Sequence, residues 1–181
     1  MLYLLGGAPR SGKSILARRI NRETGLPTVS TDLLRGVLMQ VDQELREAMA
    51  AHDPIREGSA FFSHLAQTLL VAEIQLDDCL VEGVGFLPRH VPHLEGIVKG
   101  DLRACFVGRS TATAEEVFGH ETEHRIYEGW SEEQKRQLTD GVVRWTELIC
   151  QDCAEHDVPF VDLAGDFEAR LNQAQATLLG S

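Results

Sequence analysis

The sequence predicts an α/β fold, a three-layer αβα sandwich built on a five-stranded parallel sheet. Short apolar runs alternate with longer helical patterns along the chain, and this alternation is typical of right-handed βαβ units. The first apolar run, residues 2–5, leads directly into the glycine-rich stretch GGAPRSGKS at 6–14. No internal repeat or linker interrupts the pattern, so we expect residues 1–181 to form a single domain.

The elements follow in a regular order. The continuous apolar run at 2–5 predicts a strand covered on both faces, and further short strands are predicted at 28–32, 79–84, 102–108 and 158–163. Helical patterns lie at 14–23, 33–50, 55–78, 113–127, 132–156 and 167–179. Ser131 and Gln134 predict a capping box, and Asp166 an N-cap for the last helix. Two connections are longer than a crossover needs, and we expect an acceptor-binding insertion at about 33–78 and a lid at about 110–140.

The composition argues against several classes of function. The chain is 43% hydrophobic and 25% charged, which is ordinary for a globular domain, and no apolar run approaches the length of a membrane span. The net charge of -11 argues against broad contact with nucleic acid or anionic membranes. With no targeting pattern at the N-terminus, we expect a cytoplasmic protein without nucleic-acid or membrane partners. The oligomeric state is left open.

Gly7, Gly12, Lys13 and Ser14 match the phosphate-binding pattern G-x-x-x-x-G-K-[ST], known as Walker A. Glycines bring backbone N–H groups close to an anion, and the helix N-terminus adds positive potential. The lysine neutralises β- and γ-phosphate oxygens, and the serine hydroxyl ligates Mg²⁺. The residues expected to bind nucleotide here are Gly7, Ala8, Pro9, Arg10, Ser11, Gly12, Lys13, Ser14 and Ile15. The pattern alone does not separate a kinase from an ATPase, but the absence of N-K-x-D disfavours a GTPase.

STDLLR, at residues 30–35, ends the second predicted strand. The carboxyl edge of a parallel sheet is where ligands bind in open α/β folds. Asp32 at that edge is therefore a candidate catalytic base, acceptor contact or Mg²⁺ ligand. Arg35, one turn further, is a candidate clamp for an anionic acceptor. The alternative is that Asp32 only caps the following helix.

LVEGVGFLPR, at residues 80–89, carries the second carboxylate. Glu82 ends an apolar strand, where a lone charge is costly unless it is paired or binds a cation, so it is a candidate catalytic residue and Mg²⁺ ligand. Gly83 is expected to leave space for the acceptor, as is Gly85, and Arg89 is expected to bind it. The alternative is a solvated strand end.

These three motifs together resemble the nucleoside-monophosphate-kinase-like branch of P-loop phosphotransferases. STDLLR is similar to S-T-G-D-M-L-R of adenylate kinases, and EGVGFLPR is similar to their D-G-F-P-R, with glutamate for aspartate and two extra residues. The 2-phosphoglycerate kinase, zeta-toxin, shikimate kinase and gluconate kinase groups share the layout. The resemblance implies a five-stranded parallel sheet, a mobile lid, and transfer of the ATP γ-phosphoryl group to a small acceptor. Because both acceptor motifs are altered, it does not specify AMP.

Phosphoryl transfer also requires positive charge over the phosphates. The candidate arginines beyond the fourth strand are Arg109, Arg125, Arg136 and Arg144. Of these, Arg125 and Arg136 are predicted to be catalytic, and the resemblance implies that Arg109 stacks on adenine. Gly165, after the fifth strand, is a further candidate contact for the nucleotide. The alternative for the arginines is surface ion pairing on helices.

Two other patterns compete with the kinase interpretation. HETEH, at residues 120–124, matches the zinc-hydrolase pattern H-E-x-x-H, but an acidic surface segment is favoured. Cys150 and Cys153 form C-x-x-C within a helical pattern, without a second pair, so packing is favoured over zinc or redox chemistry. Cys79 and Cys105 are expected to be buried in strands.

We therefore expect an ATP- and Mg²⁺-dependent kinase. The alternative is a P-loop ATPase or nucleotide-dependent switch that acts through a protein partner. Arg35, Arg56 and Arg89 indicate an anionic acceptor, with neutral sugars, nucleosides and antibiotics as alternatives.

Overall fold

The computed structural model describes residues 1–51, 53–118 and 129–180. The strands form one parallel sheet in the order β2-β3-β1-β4-β5, which confirms the predicted α/β fold. The strands are β1 Leu2–Gly7, β2 Thr28–Ser30, β3 Cys79–Glu82, β4 Leu102–Gly108 and β5 Phe160–Asp162. In register, Glu82 of β3 lies opposite Leu5 of β1 and Ser30 of β2. The carboxyl ends of these three strands therefore meet at one edge.

Helices connect successive strands and end the chain. They are α1 Lys13–Thr24, α2 Thr31–Leu38, α3 Gln43–Ala50, α4 Pro54–Gln75, α5 Val91–Glu95, α6 Ala114–Phe118, α7 Glu132–His156 and α8 Phe167–Leu179, with a 3₁₀ turn at Pro88–His90. In the part of the chain that the structure describes, no helix combines the length and apolarity that a membrane span requires.

Alternate strand residues point to opposite sides of the sheet, and helices cover both sides. Leu4, Val81 and Phe106 pack with buried residues of α3, α4, α5 and α7 on one face. Leu5 and Leu80 pack with α1 and α8 on the other. This arrangement is the predicted three-layer sandwich.

Several predicted element ends shift for local reasons. The helix predicted over 33–50 is divided, because Asp42 caps a new helix by accepting a hydrogen bond from Leu45 N at 2.9 Å. The strand predicted to reach residue 84 ends at Glu82, and Gly83 follows with a φ of 146°. The strand predicted over 28–32 ends at Ser30, so Asp32 lies in the first turn of α2.

Other local predictions are confirmed. Ser131 Oγ accepts from Gln134 N at 3.3 Å and Ser131 N donates to Gln134 Oε1 at 2.9 Å, completing the capping box of α7. Asp166 caps α8 by accepting from Ala169 N at 3.1 Å. The four cysteines are free: Cys79 and Cys105 are buried in strands, whereas Cys150 and Cys153 lie on α7.

Candidate active site

Residues 6–14, the predicted phosphate-binding loop, join β1 to α1, and Gly7 and Gly12 in it have positive φ angles. Gly7 has a φ of 143°, and a Cβ there would lie 2.0 Å from Val107 O, so a larger residue would disrupt the contact between β1 and β4. Ala8 N donates to Val107 O at 3.1 Å, which fixes the loop to β4. Gly12, with a φ of 109°, immediately precedes the first turn of α1. Ile15 is partly buried against the α1 and α8 side of the sheet.

Lys13 folds back over this loop. Its side chain is buried, and Nζ donates to Ala8 O at 2.6 Å. Burial lowers the pKa of Lys13 to about 8, although nearby Asp32 and Glu82 act in the opposite direction. Ser11 Oγ in the same loop is buried without a hydrogen-bond partner among the described residues. A buried hydroxyl of this kind favours a bound group that can accept or donate a hydrogen bond.

Glu82 ends β3 directly beside α1. It is only 6% exposed, and Ser14 Oγ lies at 3.5 Å from Glu82 Oε2. Burial raises the pKa of Glu82, while Lys13 and a hydrogen bond from the Ser30 side chain oppose that shift. Lys13, Ser14 and Glu82 therefore lie close together. The Ser14 hydroxyl and the Glu82 carboxylate are oxygen ligands of the type that Mg²⁺ prefers.

Asp32 lies at the solvent-exposed side of the group formed by Lys13, Ser14 and Glu82. Its Oδ1 accepts hydrogen bonds from Val84 N at 3.2 Å and from Arg35 at 3.3 Å, while 53% of the side chain is exposed. The N-cap position of α2 belongs to Ser30, so Asp32 is not the cap considered from the sequence. The carboxylate is oriented by the protein and accessible to a small molecule.

Arg35 is buried and connects two helices. Its guanidinium pairs with Asp32 and with buried Glu57 of α4. A Cβ on Gly85 would lie 2.8 Å from the Arg35 side chain, and one on Gly83 would lie 2.1 Å from Thr31 Oγ1. The space beside these glycines is thus filled by the protein's own side chains, which differs from the expected space for a ligand.

Arg109 follows β4 and contacts α6 and α8. Its guanidinium carbon lies 4.8 Å from the ring centre of Phe167, and it pairs with Glu116 at 3.2 Å. The Phe167 ring also lies 3.0 Å from where a Cβ of Gly12 would be. Phe167 therefore lies between the phosphate-binding loop and Arg109, a position that sequence reasoning missed. The only available signal was its place directly after the predicted cap, Asp166.

Two further residues complete the loop's surroundings. Arg10 has a φ of 58°, and its Nε donates to Val117 O of α6 at 3.0 Å, so the loop is tied to α6. Gly165 lies in the connection between β5 and α8 with a φ of 84°, and its surroundings are open.

Arg89 and Arg136 form ion pairs with carboxylates of α7. Arg89 binds Asp152 of α7 through its backbone N at 3.0 Å and its guanidinium at 2.9 Å. Arg136 is exposed and pairs with Glu133 within α7 at 2.7 Å. Arg125 lies outside the described residues, as does the HETEH stretch at 120–124.

A cleft of about 640 Å³ adjoins the phosphate-binding loop. It lies between that loop, the start of α4 and one face of α7. Its lining residues are Pro9, Pro54, Trp130, Gln134, Gln137, Leu138, Gly141, Val142, Arg144, Trp145 and Leu148. Its volume is within the range of small-molecule sites.

Solved structures with this architecture exist, although no protein-family model matches the sequence. A gluconokinase from Sinorhizobium meliloti 1021 has a TM-score of 0.59 at 17% identity, covering 99% of this chain and 91% of that chain. The chain has the P-loop kinase fold. A sugar kinase from Janibacter sp. HTCC2649 has a TM-score of 0.59 at 14% sequence identity, and the match covers 99% of this chain and 94% of that chain. A shikimate kinase from Bacteroides thetaiotaomicron has a TM-score of 0.59 at 13% sequence identity, and the match covers 100% of this chain and 99% of that chain.

Proposed function

We propose that this protein is an ATP- and Mg²⁺-dependent phosphotransferase that moves the γ-phosphoryl group to a small acceptor. The observation that carries the proposal is the convergence of Lys13, Ser14, Glu82 and Asp32 at one edge of the sheet. Three proteins of the same fold are described as a gluconokinase, a sugar kinase and a shikimate kinase. Their names support a small-molecule kinase without specifying this acceptor.

The phosphate-binding loop fits ATP. Backbone N–H groups at the start of α1 and the protonated Lys13 favour phosphate oxygens. Ser11 Oγ, buried without a partner among the described residues, gains a hydrogen-bond acceptor when a phosphate binds. We assign the base to the side of Arg109 and Phe167, with Gly165 as a backbone contact.

The carboxylates fit Mg²⁺. Ser14 and Glu82 would hold the ion, with Asp32 as a further ligand or a contact through water. A bound Mg²⁺ would neutralise charge on the β- and γ-phosphate oxygens. Burial raises the pKa of Glu82, and a nearby cation compensates a charged carboxylate in such a place.

Asp32 is the proposed base for the acceptor hydroxyl. The hydrogen bonds from Val84 N and Arg35 hold its Oδ1, while the exposed remainder of the carboxylate is available to accept a proton. Among the expected acceptor contacts, Arg35 and Gly83 adjoin Asp32, whereas Arg89 is engaged by Asp152.

The two long connections have proposed roles in the same reaction. Residues 33–78 would form one side of the acceptor site. Residues 110–140 would act as a lid that excludes water, a competing nucleophile. Arg125 and Arg136 remain the proposed lid arginines.

The test is ADP release from Mg-ATP across a panel of hydroxylated metabolites. A kinase shows turnover that one acceptor raises well above the basal rate, and that Lys13→Ala and Asp32→Asn abolish. Lys99→Ala and Asp77→Asn are matched controls, because both residues are exposed at the opposite edge of the sheet. Nucleotide binding with slow hydrolysis that no acceptor stimulates would support the ATPase or switch instead.

A further inference from the structure

The charged side chains that first indicated an anionic acceptor are engaged within the protein. Arg35 pairs with Asp32 and Glu57, and Arg89 pairs with Asp152. The third, Arg56, is exposed and lies 3.9 Å from Glu47. An acceptor that these arginines bind would have to compete with carboxylates already in place, so the preference for an anion needs another source.

Arg144 is such a source of preference for an anionic acceptor. It is exposed on α7 and forms no ion pair among the described residues. Among the described residues that line the 640 Å³ cleft, it is the single charged one, in a protein whose net charge is -11. A guanidinium in this setting favours one carboxylate, which it can bind through two parallel hydrogen bonds.

The rest of the lining is largely apolar. The chain has two tryptophans, and both Trp130 and Trp145 line the cleft together with Pro9 and Pro54. Indole and proline surfaces favour a flat ring, because ring stacking and burial of apolar area act together. A linear polyol would leave most of this surface without a complementary partner.

Two amides add hydrogen-bonding capacity for a neutral polar group. Gln134 uses its Oε1 for the capping box at 2.9 Å, which leaves its two N–H donors. Gln137 uses Nε2 to bind Glu133 at 2.9 Å, which leaves its carbonyl oxygen. A donor and an acceptor on adjacent turns of α7 suit a hydroxyl group, which both donates and accepts.

We infer that this cleft binds the acceptor and that the acceptor is a ring-bearing monoanion with a hydroxyl group, held by Arg144 and stacked against Trp130 and Trp145. Pro9 belongs to the loop of residues 6–14 and also lines the cleft, so a ligand in the cleft would contact that loop. The role as phosphoryl acceptor rests on the proposed kinase function. Binding of the ring-bearing monoanion in the cleft does not depend on it.

Because both tryptophans lie in the cleft, intrinsic fluorescence reports its occupancy without ATP or turnover. The probe is 4-(hydroxymethyl)benzoate, compared with its neutral amide and with gluconate, an acid that has no ring. Dissociation constants come from calorimetry on the full chain, and the fluorescence change locates binding. We expect the benzoate to bind about tenfold more tightly than either comparison compound.

Arg144→Ala should remove that preference by weakening benzoate binding about tenfold while leaving the amide unchanged. Arg144→Lys should restore part of it, since the charge returns without the planar fork. Arg22→Ala is the matched control, because Arg22 is exposed on α1 across the sheet, and unchanged ATP affinity in all variants shows that they are folded.

The inference is overturned if the benzoate fails to bind, if Arg144→Ala binds it as wild type does, or if binding leaves the tryptophan emission unchanged. If the benzoate binds as expected but does not stimulate ADP release, binding of such anions in the cleft is supported independently of the proposed kinase function. The cleft would then be a site for such anions, and the kinase function would be decided by the acceptor panel alone.

Discussion

Ser14 Oγ lies 3.5 Å from Glu82 Oε2, joining the first turn of α1 to the carboxyl end of β3. The two residues are far apart in sequence, and the pairing of β1 with β3 brings them together. Their contact places a hydroxyl and a buried carboxylate on the same side of the phosphate-binding loop. The proposed Mg²⁺ dependence should therefore be sensitive to either oxygen.

Glu82→Gln should raise the Mg²⁺ concentration needed for half-maximal ADP release by about tenfold or more, because an amide is a weaker ligand for a hard cation. The fold should persist, since burial raises the pKa of Glu82 and the neutral amide avoids a buried charge. A magnesium titration of wild type, Glu82→Gln and Asp77→Asn measures this. An unchanged midpoint in Glu82→Gln would remove Glu82 from the metal site.

Lys13 should make stability depend on pH. Its pKa falls from 10.5 to about 8 in the folded state, so between these values the unfolded state binds more protons. Stability therefore rises with pH through this window, by up to about 3 kcal/mol for Lys13 alone. Denaturant unfolding of wild type and Lys13→Met at a series of pH values isolates the effect as the difference between the two curves. A flat difference would show that Lys13 titrates normally.

The central residues of the site were predictable because their signals are local. Lys13 and Ser14 belong to a contiguous motif, while Asp32 and Glu82 lie at the ends of predicted strands. In a parallel sheet, such ends meet at one edge. A strand pattern and a motif therefore suffice to place these side chains close together before any coordinates are known.

The partners of the arginines were not predictable in this way. Glu57 is 22 residues from Arg35, and Asp152 is 63 residues from Arg89. Many carboxylates are available in so acidic a chain, and only helix packing selects one of them. Phe167 is a similar case, because its contact with the phosphate-binding loop depends on how α8 packs against the sheet.

Phe167 should contribute to binding of the base rather than of the phosphates. Its ring stacks on Arg109 and reaches the loop at Gly12, where a planar base can add to the stack. Phe167→Ala should weaken ATP binding about fivefold and leave tripolyphosphate binding unchanged, whereas Phe167→Tyr should retain most of the ATP affinity. Calorimetry with both ligands tests this, and equal losses for ATP and tripolyphosphate would indicate a distorted loop instead.

The pair of Arg89 and Asp152 should stabilise the packing of α7 against the segment after β3. Asp152 is 1% exposed, whereas the Arg89 side chain is 36% exposed, so solvent screens part of the interaction. We expect Asp152→Asn and Arg89→Met each to cost about 1–3 kcal/mol of unfolding free energy. The double variant should lose less than the sum, because both changes remove the ion pair between the Arg89 guanidinium and Asp152. Urea unfolding of the four proteins measures the cycle, and Arg136→Met is the control, since that arginine is exposed and pairs with Glu133 of its own helix. Additive losses would mean that Arg89 and Asp152 stabilise the protein independently.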